Sequence, residues 1–165
     1  MESMVLLPAH RAQMRRRRRQ LLQAILRALA RPLVLVRRAR RQAKNFPGVE
    51  NIRRSFECLR QELSLAAQAV RRRLNAGGGR DSRPLASKKM AGRWRQGWGN
   101  ATGWSRLVMA ACQGCATRLC RLLRAAEALA DRTTTRLAYG LLRTLEKELW
   151  LLHPHPTRDA RLAVG

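Results

Sequence analysis

Between Glu50 and Leu74 the residues Ile52, Phe56, Leu59, Leu63, Ala66, Val70 and Leu74 step by three or four, a period that lays them along one side of an α-helix. The same spacing recurs before and after. Leu21, Leu22, Ile25, Leu26 and Leu29 form an earlier stripe. Val108, Cys112, Cys115, Leu119, Leu122, Ala126 and Leu129 follow the four-and-three alternation of a bundle or coiled-coil seam. Leu137, Leu141, Leu142, Leu145, Leu149 and Leu152 form the last stripe. Apolar and polar residues nowhere alternate as in a half-buried strand, and nothing repeats at a fixed period. The expected fold class is therefore all-α, and 165 residues suffice for one domain with a modest core.

Turn and breaker residues divide these stripes. Pro32 has no amide proton to donate, so it is expected to end or kink the first helix. A second short basic segment, Leu33 to Lys44, then stops at the turn signal Asn45-Phe46-Pro47-Gly48. "NAGGG" closes the helix that starts at Glu50, "DRTTTR" interrupts the third stripe through poor helix formers, and "HPHP" ends the last. Residues 76–103 hold seven glycines and no apolar period, the composition of a linker. The expected organisation is an Arg-rich basic arm at 1–49, an amphipathic helix at 50–75, a flexible Gly/Trp linker at 76–104, a helical hairpin at 105–153 and a disordered tail at 154–165. Few aromatic residues leave a core of Leu and Ala, which specifies packing weakly. Loose packing, partial disorder and self-association through the C-terminal helices are expected from that composition.

Charge bears on function. The formal net charge is +25, and self-repulsion on that scale opposes compaction unless an anion screens it. Only Lys44, Lys88, Lys89 and Lys147 among the basic residues are lysine. Arginine's planar fork engages phosphate bidentately and stacks on bases, which suits RNA or another polyanion as partner. An alternative origin for the same bias is GC-rich or overprinted coding, a frame without a selected function. Thirteen basic residues fall in the first 49, against Glu2 as the one acid there.

The candidate nucleic-acid-binding residues are Arg15, Arg16, Arg17, Arg18 and Arg19, joined by Arg37, Arg38, Arg40 and Arg41. Like charges at i,i+3 and i,i+4 weaken an isolated helix, so the run should tighten on phosphate. Engaging six to ten phosphates would give a salt slope of about −5 to −9. The same residues would serve as a nuclear or nucleolar import signal, or as plain solvated charge. Arg93, Trp94, Arg95 and Trp98, with Trp104 beyond them, interleave guanidinium and indole groups, a stacking platform for single-stranded RNA or else a cap on the helical hairpin.

Other chemistry finds little footing. Cys112, Cys115 and Cys120 begin like a zinc knuckle, yet Cys120 stands where a His is needed and Ala125 where a Cys is, so no metal or other cofactor is expected and the thiols read as small hydrophobes. Three histidines and sparse carboxylates such as Glu146 and Glu148 do not assemble a catalytic set, hence a non-enzyme. Ile25, Leu29, Leu33, Leu35 and Leu142, Leu145, Leu149, Leu151 are spaced like leucine-rich export signals, a layout that would suit a shuttling RNA exporter or any amphipathic helix. Arg27 and Arg31 break the apolar stretch from Leu21 to Leu35, which excludes a bilayer-spanning helix there and leaves no secretory signal. An intracellular protein with reduced thiols is expected, in nucleus, nucleolus or cytoplasm, which leaves the Asn100-Ala101-Thr102 sequon without meaning. The rival reading of residues 1–49 is a mitochondrial presequence or an amphipathic helix on an anionic membrane surface.

Val49, Glu50 and Asn51, followed by Glu57, Cys58, Leu59 and Arg60, form a stretch that resembles a segment of henipavirus-type paramyxovirus C proteins, and the layout is similar to small basic accessory proteins of overlapping viral frames. The likeness covers under a tenth of the chain, with a one-residue gap. It implies modulation of viral RNA synthesis and interference with innate immune signalling through helical contacts with host regulatory proteins.

Overall fold

A computed structural model describes residues 8–43, 45, 50–78 and 101–153. It contains four helices, α1 (Pro8–Ala43), α2 (Glu50–Ala76), α3 (Ala101–Ala128) and α4 (Arg132–Leu152), and no strand among the described residues. The protein is all-α. The apolar stripes read from the sequence are the buried faces: Leu22, Ile25, Leu29, Leu33 and Val36 of α1 meet Phe56, Leu59, Leu63 and Val70 of α2, Val108, Cys112 and Leu119 of α3, and Leu141 and Leu145 of α4 in one continuous core.

Helix α1 packs on α2 and α3, and α4 on α3 and, more lightly, on α2. Arg40 of α1 pairs with Glu57 of α2, so the end of one helix lies beside the start of the next. Arg18 of α1 and Arg73 of α2 both reach the start of α4, at Asp131 and at the Thr133 carbonyl. Neighbouring helices are therefore antiparallel all round, and α2 finishes at the opposite end from where α3 starts, an arrangement known for bundles with one long crossover. At 1.5 Å per residue α1 is about 54 Å long and α2 about 40 Å, and the surplus of α1 is its front. Pro8 to Gln20 are exposed save half-buried Met14, whereas burial begins at Leu21.

Three expectations change. Pro32 neither ends α1 nor leaves a separate segment from Leu33: the helix runs unbroken to Ala43 with Pro32 inside it and buried. A proline in a helix interior costs about 3 kcal/mol, but Leu29, Leu33 and Val36 around it are all in the core, and tertiary packing outweighs the local penalty. For the same reason residues 21–43 are a structural helix of the bundle and not part of an arm. The segment read as a linker is also shorter at both ends, because α2 reaches Ala76 and α3 begins at Ala101 with Trp104 buried. Trp104 thus serves as a packing residue of the hairpin, the capping alternative.

The break between α3 and α4 lies at Leu129–Asp131, not across the threonines. Asp131 N–H bonds the Ala126 carbonyl at 3.0 Å and Ala130 N–H the Glu127 carbonyl at 2.8 Å, while Ala130 takes φ +49°. This is the paired 6→1 and 5→2 closure of a helix with a left-handed residue after it. Asp131 then caps α4, accepting from Thr134 N and from Thr134 Oγ1. Thr133, Thr134 and Thr135 consequently form the first turn of α4. At the end of α2, Gly78, with φ +77°, closes the helix as the local glycine composition suggests.

Candidate polyanion-binding end of the bundle

The front of α1 carries Arg15 to Arg19 on consecutive exposed positions. A helix turns 100° per residue, so five in a row encircle it and no single face can bury them. They sit where α1 leaves its neighbours. Arg15, Arg18 and Arg19 turn towards the bundle end, where they line a cleft of about 650 Å³ together with Leu22, Arg73, Leu74, the turn Gly77–Gly78, Asp131 and Thr133. Arg16 and Arg17 do not line it and face solvent.

Few carboxylates balance this end. Of the seven in the described residues, Glu50, Glu57, Glu62, Glu146 and Glu148 belong to the first part of α2 and the last part of α4, at the far end, and only Glu127 and Asp131 lie here. Arg18 Nε stands 3.8 Å from Asp131 Oδ2, an ion-pair distance too long for a hydrogen bond. Arg73 Nη1 donates to the Thr133 carbonyl at 2.7 Å. Further arginines end or begin helices nearby: Arg71 and Arg72 on α2, Arg121 and Arg124 on α3, Arg132 and Arg136 on α4.

The second predicted cluster is not brought to the first. Arg37, Arg38, Arg40 and Arg41 lie about 33 Å further along α1, beside the start of α2. There Arg40 Nε meets Glu57 Oε2, and the same carboxylate accepts from Arg60 and Gln61. The Arg60 hydrogen bonds, with Arg40 beside them, hold the Glu57 carboxyl below its usual range despite some desolvation. Glu50 pairs with Arg53 at 3.1 Å, three residues on. Arg93, Trp94, Arg95 and Trp98 lie outside the described residues.

Sequence reasoning missed Arg27, Arg31 and Arg73. The first two, treated as interruptions of an apolar run, continue a line on the outward face of α1 from Arg16 through Arg38 to Arg41, since 16, 27, 31, 38 and 41 share one side of a 3.6-residue helix. The period that buries the stripe of leucines leaves this line on the opposite face. Arg73 carried no local signal, because its place at the cleft depends on how α2 meets α4.

Two of the four cysteines are structural. Burial pushes the Cys112 and Cys115 thiols up to about 12, so both are protonated packing residues, whereas Cys58 and Cys120 are exposed. No group of three His, Cys, Asp or Glu that could hold a metal occurs among the described residues. In the export-like series Ile25, Leu29, Leu33, Leu35, Leu142 and Leu145 are buried, Leu149 is half-buried and only Leu151 is exposed. A receptor would have to unfold the bundle to read them. No described helix is long and apolar enough to cross a membrane. Comparisons of the chain with protein-family models, with curated proteins and with solved structures each find no match.

Proposed function

We propose that this chain is a non-enzymatic helical protein that binds RNA or a similar polyanion through the front of α1, with the bundle as its mount. The observation that carries this reading is the exposed row Arg15–Arg19, which stands beyond the buried part of its helix with one carboxylate among the described residues, Asp131, in ion-pair range. Arginine at that density adds a fixed, sequence-independent attraction to phosphate, because each phosphate neutralised releases a condensed counterion. The outward line of Arg16, Arg27, Arg31, Arg38 and Arg41 extends the positive surface over about 38 Å. The same row would also direct the protein to the nucleus or nucleolus. A viral accessory role, implied by residues 49–60, enters through RNA binding alone: Leu59 of that stretch is in the core and Glu57 and Arg60 hold each other on the surface.

The membrane-surface reading is weaker. An interfacial helix needs its apolar face free to enter lipid, and in α1 Leu21, Leu22, Ile25, Leu26 and Leu29 are covered by α2 and α3.

The test is an electrophoretic mobility shift with the full-length chain and a single-stranded RNA over a salt series. Five arginines on single-stranded phosphate predict a slope of log affinity on log salt of about −3 to −4. An affinity indifferent to salt, or no binding at low salt, overturns the proposal.

A further inference from the structure

The cleft beneath Arg15–Arg19 has a property that a merely basic surface lacks, concavity between three elements. Arg15, Arg18 and Arg19 enter it from α1, Arg73 from the end of α2, and Thr133 and Thr134 from the start of α4, with Leu22 and Leu74 as apolar wall. Among the described residues Asp131 is its one carboxylate, and both its oxygens are already engaged by Thr134, Oδ1 by the backbone N–H and Oδ2 by the hydroxyl. Among the described residues four guanidinium groups therefore line the cleft with one carboxylate, which is committed to capping a helix and lies in ion-pair range of Arg18. That is an unbalanced site. At about 650 Å³ it also falls in the range of small-ligand sites, too large for a phosphate group alone and adequate for a nucleotide.

We infer that this cleft holds a phosphomonoester, the terminal phosphate of a nucleotide or of a strand end, and that Asp131 competes with it for Arg18. The inference rests on the polyanion reading and deepens it. A phosphomonoester carries about −1.5 to −2 charge at pH 7 and presents three acceptor oxygens, against one negative charge on an internal phosphodiester. It is the better match to convergent arginine forks, which bind phosphate bidentately. A continuous backbone is served by the convex side, where Arg16 and Arg17 face solvent. Arg73, whose Nη1 holds the Thr133 carbonyl, ties the clasp to α4.

The experiment compares two single-stranded RNAs of about twelve nucleotides, alike except for a 5′-phosphate or a 5′-hydroxyl, on the full-length chain, with adenosine 5′-monophosphate as a third ligand. The phosphorylated strand should bind about three- to tenfold tighter. Arg19→Gln and Arg73→Gln should each bring that ratio towards one. Asp131→Asn keeps the cap, since asparagine caps as well as aspartate, and should raise the ratio by about two- to fivefold as Arg18 is released. If the arginine variants unfold in a thermal melt, Asp131→Asn decides: a ratio that stays level or falls overturns the inference. Equal affinity for the two wild-type strands also overturns it while leaving polyanion binding intact, and failure of both strands to bind removes the polyanion reading itself. Mononucleotide binding as tight as the strand assigns the clasp to free nucleotides, and a firmer hold on the strand assigns it to strand ends.

Discussion

The two ends of α1 carry similar runs of arginine and stand in different surroundings. Arg37 to Arg41 lie where α1 is flanked by α2, and Arg40 there shares the Glu57 carboxylate with Arg60. Arg15 to Arg19 lie where the helix outruns its neighbours, with Asp131 at 3.8 Å from one of them. A phosphate approaching the first cluster competes at Arg40 with a carboxylate already bound. At the second, among the described residues, Arg18 alone has a carboxylate in ion-pair range, and that contact is a long one. Composition gives charge, but the partner each charge already has decides what it can still bind.

The largest effect expected separates the buried length of α1 from its front. Ile25→Ala or Leu33→Ala removes a fully buried side chain from the shared core and should cost about 2–5 kcal/mol in urea unfolding. Arg16→Ala or Arg17→Ala, on exposed positions, should change stability by less than about 0.5 kcal/mol. A costly Arg17→Ala would mean that the front is packed, and the contrast between the two lengths of helix would fail.

Next in size is the contrast between the clusters. Replacing Arg15, Arg16, Arg17 and Arg19 together by Gln should flatten the salt slope of RNA binding by about three and lower affinity at physiological salt by about ten- to a hundredfold. The same replacement at Arg37, Arg38, Arg40 and Arg41 removes as much charge and should flatten the slope by about one or less, because Glu57 already occupies part of that cluster. Equal losses in gel-shift titrations would show that net charge alone governs binding and that position on the bundle is irrelevant.

How far these contrasts were legible in the sequence depends on whether the deciding physics is local. The apolar period of α2 named its buried face residue by residue, since Phe56, Leu59, Leu63, Ala66, Val70 and Leu74 are all inside. Periodicity survives because burial imposes it. Pro32 misled for the complementary reason: the missing N–H is local, whereas the packing that carries the helix past it comes from α2 and α3. The turn at Ala130 was hidden because its left-handed residue is not a glycine, so the usual signal was absent and the neighbouring threonines drew the boundary instead. Of the binding end, Arg15 to Arg19 announced themselves as a run. The cleft did not, because Arg73 and Asp131 lie 58 residues apart in sequence and meet only through the antiparallel packing of α2 and α4.

The smallest effect concerns the end that holds the carboxylates. Glu148, on the inward side of α4, is buried with Oε2 unpartnered among the described residues. Burial lifts its pKa above the ordinary 4.5, Glu62 of α2 adds to the rise and Lys147 opposes it, while Cys112 of α3 faces the same carboxyl. A carboxyl that binds its proton more tightly folded than unfolded makes folding take up a proton in the pH interval between the two values. Stability must then rise as pH falls from that raised value towards 4.5. Glu57 acts the other way and in a lower window, because its folded value lies below 4.5 and the stability it contributes is lost only as pH drops through that range. Melting temperatures measured from pH 7 to 3 should therefore climb before they fall. Glu148→Gln should abolish the climb and leave the fall, whereas Glu57→Gln should blunt the fall and leave the climb. A monotonic decline in the unaltered chain would mean that Glu148 is ionised at no cost, and the buried unpaired oxygen would have to find a partner on opening of the shallow cleft it shares with Arg54 and Lys147.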